Sequence, residues 1–179
     1  MIESLELFNN QAIHLASHGE YQEAIACFKK ALQFEQSNYL LWFNMGVTYR
    51  DSGDFDKARF ALEKAFVLAQ QCGENGEDVA EVLAQMLFAN GHYGEAIKYC
   101  NIGLTINIRN SHIWNTLGAV LFNLESYDKA AEAFENALTI SPYYYDALFN
   151  LHDTYVELGN EDGKRVCEIK MSELQKKDL

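Results

Sequence analysis

Residues 42–65 read WFNMGVTYRDSGDFDKARFALEKA. Trp42, Met45, Gly46 and Tyr49 fall at spacings of three and four, which puts them on one stripe of a helix. Gly53 then interrupts the pattern, and glycine is the residue that takes the left-handed conformation ending a helix. Ala58, Leu62 and Ala65 make a second stripe with the same periodicity. The stretch therefore predicts two amphipathic helices joined by a turn. The small residues Gly46 and Ala58 suit a close contact between them, where a larger side chain would hold the backbones apart. The aromatics fill the space that remains. A bulky residue at Ala58 is expected to overpack the hairpin at a cost of roughly 1–3 kcal/mol.

Working outward, the second half of this stretch has three counterparts: GEYQEAIACFKKAL (19–32), GHYGEAIKYCNIGL (91–104) and ESYDKAAEAFENAL (125–138). Their anchor alanines, with Ala58, are Ala24, Ala96 and Ala130, at successive separations of 34, 38 and 34 residues. The first half recurs as WNTLG (114–118), and more weakly as FNNQA (8–12) and AEVLA (80–84). Self-similarity at such a period is the mark of a repeat architecture.

These phrases resemble the tetratricopeptide repeat family. The resemblance implies an all-α fold, a right-handed superhelical solenoid of antiparallel helix pairs. It places repeats at 5–38, 39–72, 77–110 and 111–144, an insertion at 73–76, and a degenerate repeat with a capping helix at 145–179. Repeat one carries Phe8, Ala12, Leu15, Ala24, Phe28 and Ala31; repeat four carries Trp114, Leu117, Gly118, Leu121, Ala130, Phe134, Ala137 and Pro142.

The departures are local. Pro142 is the chain's one proline, and Gln36, Gln70 and Ile108 stand at the equivalent positions. Ala80 replaces a large aromatic, so looser packing is expected there. Residues 73–76 (GENG) form either a longer linker or an extension of the preceding helix. Near the C-terminus, His152 replaces the small residue of the first helix. The amphipathic segment beyond it, with Val166, Ile169, Met171 and Leu174, suits a helix that closes the array.

Composition limits the partners. Net charge is −12, from 26 acidic and 14 basic residues, which repels phosphate backbones and argues against nucleic acid. The first ten residues, MIESLELFNN, lack the basic start and apolar core of a signal peptide, and no run of about 18 apolar residues is present. The expectation is a cytoplasmic protein without membrane insertion. Cys27, Cys72, Cys100 and Cys167 form no CxxC or zinc pattern and are read as reduced, mostly buried thiols.

In the resembled family the first helices of successive repeats line a concave groove. Its positions here are Asn9, Ile13 and Ala16; Phe43, Val47 and Arg50; Glu81, Gln85 and Phe88; Asn115, Ala119 and Phe122; and Phe149, Asp153 and Val156. Members that hold chaperone tails clamp the terminal carboxylate with groove Lys, Arg and Asn. Arg50 is the one cation in this set, so a carboxylate clamp is not expected. An apolar, aromatic groove is, with the Phe residues as anchors and the amides pairing with a ligand backbone. Tyr143, Tyr144 and Tyr145 are consecutive and cannot all face inward, so they are candidates for a second interface.

Catalytic signatures are missing. The sequence has no HExxH, GxSxG, GxGxxG or phosphate-cradling glycine loop. His14 and His18 are spaced to share a metal, but no third ligand accompanies them. No metal, cofactor or enzymatic activity is expected. The leading expectation is a scaffold or adaptor that binds a protein or peptide in the groove. The alternatives are a subunit that self-associates into a homo-oligomer, and a regulatory sensor that binds a small ligand in the groove.

Overall fold

A computed structural model describes residues 4–177. They form ten α-helices, with no strand among the described residues. In order these are α1 (Leu5–Ser17), α2 (Tyr21–Phe34), α3 (Tyr39–Asp51), α4 (Phe55–Gln71), α5 (Glu77–Ala89), α6 (Tyr93–Ile106), α7 (Ser111–Asn123), α8 (Tyr127–Ile140), α9 (Tyr145–Glu157) and α10 (Glu161–Lys177). None of the described helices is long and apolar enough to cross a membrane. The chain divides within α5 into two compact units, one ending at Leu83 and one beginning at Ala84.

Local chemistry starts the helices. Ser4, Asn38, Asp54 and Asn110 each accept a hydrogen bond from the backbone N–H three residues on, at 3.2, 3.3, 3.3 and 3.0 Å. Such caps satisfy donors that the helix leaves unpaired and are worth about 1 kcal/mol each. Two tryptophans lock the approach to α3 and α7: Trp42 Nε1 donates to the Gln36 carbonyl and Trp114 Nε1 to that of Ile108, both at 2.8 Å.

In the first unit, α1 packs on α2 and α3 on α4 around Phe28, Leu41 and Leu62, each at most 2% exposed. A Cβ placed on Gly46 would lie 2.7 Å from Leu62 Cγ and 3.1 Å from the Leu62 backbone nitrogen. The two helices are thus as close as the glycine permits. Residues 73–76 themselves are non-helical, lying between the end of α4 at Gln71 and the start of α5 at Glu77. α4 has 17 residues against 14 for α2, and the chain then turns through Gly73 and Gly76 at φ of 80° and 69°. Gly76 sits 3.2 Å, measured from its notional Cβ, from the Phe66 ring. Ala80 is fully buried beside Val79 and Leu83, so the missing aromatic does not open that position to solvent.

In the second unit, Ala130, Phe134, Leu148, Leu151 and Cys167 belong to one buried cluster, with Trp114, Met171 and Leu174 packed against it. A Cβ on Gly118 would meet the Phe134 ring at 2.6 Å. His152 offers no such gap on α9. The close approach there is made from α10 instead, where a Cβ on Gly163 would lie 2.7 Å from the Tyr155 ring. Tyr155 Oη donates to Glu135 Oε1 at 2.6 Å. Burial, with the Glu135 carboxylate added, holds the Tyr155 phenol well above the ordinary range.

Candidate functional site: an aromatic and amide-lined cleft

Two helix stripes build a cleft in the second unit. On α7, Asn115, Ala119 and Phe122 lie on one face at intervals of four and three. On α9, Asp146, Phe149, Asn150 and Asp153 do the same over two turns. Phe88 adds a third aromatic, and Phe134, 1% exposed, lies at the base. The cleft measures about 470 Å³, within the range of small binding sites.

Its polar groups are organised. Asn150 Nδ2 donates to Asn115 Oδ1 at 3.0 Å, and Asn115 Nδ2 donates to Tyr144 Oη at 3.4 Å. Tyr144 Oη lies 3.1 Å from His112 Nδ1, and the two rings meet edge to face. Asn123 Nδ2 donates to the Ala119 carbonyl at 2.9 Å and its Oδ1 accepts from Tyr93 Oη at 3.4 Å. The aromatics are braced as well. Phe122 meets Tyr127 edge-on at 5.3 Å, and Phe88 lies 6.1 Å from Tyr93. Phe149 is the exception, at 49% exposed. Asp153 accepts from His152 Nδ1 at 2.9 Å. Asp146 and Asp153 are the charged residues of the lining, which includes neither Lys nor Arg.

Phe88, Asn115, Ala119, Phe122, Phe149 and Asp153 are thus gathered in one place. Gln85 is half-buried and Val156 is exposed, and neither lines the cleft. Asp146, Asn150 and Asn123 were not anticipated. Asn150 follows Phe149 directly, so a stripe widened by one position on each turn includes it.

The residues expected to face the groove in the first unit are more dispersed. Ile13 and Val47 line a small cleft of about 190 Å³ with Ala16, Asn44 and Asp51. Asn9 is half-buried, and its Oδ1 has no hydrogen-bond partner among the described residues. Phe43 and Glu81 are half-buried. Arg50 is turned onto its neighbour: its Nε and Nη2 lie 2.9 and 2.8 Å from Asp51 Oδ1. The one groove cation therefore stands beside a carboxylate.

Elsewhere, Tyr143 and Tyr145 are 66% and 43% exposed, while Tyr144 is half-buried as described. The His14 and His18 rings stack at 4.4 Å, and His18 Nδ1 donates to the His14 carbonyl at 2.8 Å. Among the described residues no group of three or more His, Cys, Asp or Glu is placed to hold a metal ion. The four cysteines are free thiols, three buried and Cys72 exposed.

Antiparallel helix pairs held at small-residue contacts define a helical-repeat protein. Known proteins give the family. Residues 15–53 match the family described as TPR repeat, and residues 51–137 match the family described as anaphase-promoting complex, cyclosome, subunit 3. The chain belongs to the tetratricopeptide repeat family. It is 28% identical over 131 residues to BBSome complex member BBS4 of Bos taurus, covering 73% of this chain and 24% of that protein. It spans at most about a quarter of the length of the curated relatives it matches. Among solved structures, MamA superposes with a TM-score of 0.84 at 24% identity, over 99% of this chain and 94% of that one. YrrB, described as a TPR protein with an unusual peptide-binding site, superposes with a TM-score of 0.74 at 23% identity, over 94% and 84% of the two chains.

Proposed function

We propose that the chain is a non-catalytic protein-interaction scaffold whose second unit holds an extended segment of a partner in the α7–α9 cleft. The observation that carries this reading is the lining itself. Phe88, Phe122 and Phe149 offer apolar contact area, and Asn115 and Asn150 present amides able to pair with a peptide backbone. Asp146 and Asp153, with no cation beside them in the lining, favour a segment that carries Lys or Arg. The names of its relatives agree in kind: BBS4 is a member of a complex, and YrrB has a peptide-binding site.

Selection from a random peptide display library tests this. Recovered sequences are expected to pair an aromatic or branched apolar residue with a nearby Lys or Arg. Phe149→Ser is expected to weaken the best of them about tenfold or more, as truncation of an interface anchor does. Phe149 is half exposed, so the variant keeps its fold. Recovery of acidic sequences, or equal binding by the variant, would refute the assignment.

A second reading, self-association, draws on the exposure of Tyr143 and Tyr145 on the same unit. Tyrosine is enriched at protein interfaces, and two exposed rings two residues apart offer apolar area with hydroxyl groups to orient it.

A further inference from the structure

The first unit carries another cleft, of about 400 Å³, formed by α2, α3 and α4. Its lining is mostly hydrocarbon, from Trp42, Met45, Tyr49 and Phe60, with Lys29 and Lys57 as its charged groups. Phe60 meets Trp42 edge-on, with ring centroids 6.0 Å apart, yet remains 64% exposed. A phenyl ring so open to water adds little to the core, and the fold does not require it there.

The chain supplies its own comparison. Seventy-two residues further on (114 − 42), Trp114 makes the same ring N–H bond to a carbonyl six residues before it. At that separation, however, Leu121 stands for Tyr49, Glu132 for Phe60 and Asn101 for Lys29, while Lys129 keeps the place of Lys57. The hydrogen-bonded tryptophan therefore belongs to the repeat architecture. Phe60, Tyr49 and Lys29 do not, because a repeat of this chain packs without them.

Charge indicates what fits. In a chain with 26 acidic and 14 basic residues, this lining has two ammonium groups and no carboxylate. Lys57 is shared between Asp54 and the Tyr49 ring, 5.7 Å from its centroid. Lys29 is exposed beside the mouth of the cleft. With Phe60 and both lysines open to solvent, the cleft is shaped to receive a projecting side chain and not to enclose a free molecule. We infer that the α2–α3–α4 cleft is a second docking site, for a partner segment that presents an apolar or aromatic side chain flanked by carboxylates. The site is independent of the α7–α9 cleft and takes a segment of opposite charge.

The two indole N–H signals of the full chain, in a nitrogen–proton correlation spectrum, provide the test, since Trp42 and Trp114 are its only tryptophans. Trp114→Phe assigns them. The probe is the blocked hexapeptide Glu-Asp-Phe-Leu-Asp-Glu, and the control has Lys at every acidic position. The acidic peptide is expected to shift the Trp42 signal saturably and leave Trp114 unmoved. Its affinity is expected to fall severalfold between about 50 and 300 mM salt. Phe60→Glu, which copies Glu132, is expected to weaken binding at least tenfold, and Lys29→Asn about threefold. Both sites are exposed, so an unchanged Tm verifies the fold, and Lys29→Asn alone decides if Phe60→Glu does not fold. An equal response to the Lys peptide, or to the acidic peptide after Phe60→Glu, overturns the inference. So does a Trp42 shift on protein dilution alone, which makes the occupant a second copy. Saturation by decanoate and not by the peptide overturns it too, making the occupant an amphiphile.

Discussion

Gly19, Gly53, Gly91 and Gly159 end first helices at φ between 66° and 81°, and at the equivalent place between α7 and α8 stands Glu125, at φ 57°. A side chain in that region costs about 1–2 kcal/mol, because Cβ crowds the following carbonyl. Glycine at this position would remove that strain while giving up some stability to the freer unfolded chain. Glu125→Gly is therefore expected to stabilise the protein by about 0.5–1 kcal/mol, read as a higher urea midpoint at unchanged slope. A lower midpoint would show that the Glu125 side chain makes a contact worth more than the strain. Within helices, Gly46, Gly118 and Gly163 are constrained by space instead. Gly118 lies against Phe134, which is 1% exposed and has nowhere to move, whereas Gly94 on α6 has nothing within 4 Å of its notional Cβ.

At the scale of the element, α10 is tied to α9 at the point where Gly163 meets Tyr155. It brings Cys167 to 2% exposure in the cluster that contains Leu148 and Leu151. Thiol reactivity reports on this. Burial pushes the Cys100 thiol up to about 12 and raises that of Cys167 as well, so neither presents a thiolate near neutral pH. Cys27 is also buried, while Cys72 caps the extended α4 and is exposed. One thiol is expected to react at once with a disulfide reagent at neutral pH, and the other three only on unfolding. In Gly163→Leu, α10 cannot seat against Tyr155, and a second fast thiol, Cys167, is expected. An unchanged single fast thiol in that variant would mean that α10 docks without the close approach. The same element view accounts for residues 73–76. α4 runs three residues longer than α2, and residues 73–76 then turn the chain into α5 with Gly76 against Phe66.

For the whole molecule, a net charge of −12 opposes association of like chains at neutral pH. If Tyr143 and Tyr145 form a self-contact, it is weakest at low salt and strengthens as salt screens the repulsion or as pH approaches the isoelectric point near 4.7. Sedimentation at neutral pH is expected to show a monomer in low salt and reversible association on addition of salt. Tyr143→Ser with Tyr145→Ser is expected to abolish that association. Association that persists unchanged in the double variant would remove these tyrosines from the interface. The two clefts differ in the charge of their linings. The α7–α9 lining follows the sign of the chain, and the α2–α3–α4 lining reverses it.

Read alone, the sequence determined the helix pairs, the tight contact at Gly46 and Gly118, and the alternation of stripe and turn. These are written in spacings of three and four and in single residues, so they depend on neighbours within a turn or two of helix. Its resemblance to the repeat family also pointed to Phe88, Asn115, Phe122, Phe149 and Asp153, which share one cleft because equivalent positions of successive helix pairs fall on one side. Only the tertiary structure decided the rest. Asn150 enters the cleft through a bond to Asn115, 35 residues away, and Asp146 enters through the packing of α9. Arg50 does not stand alone in the groove, because its guanidinium reaches Asp51. Gly163 takes over the close contact that His152 cannot make. Each of these outcomes depends on the distance between helices and on a choice of side-chain rotamer, which packing across the unit sets and local periodicity does not encode.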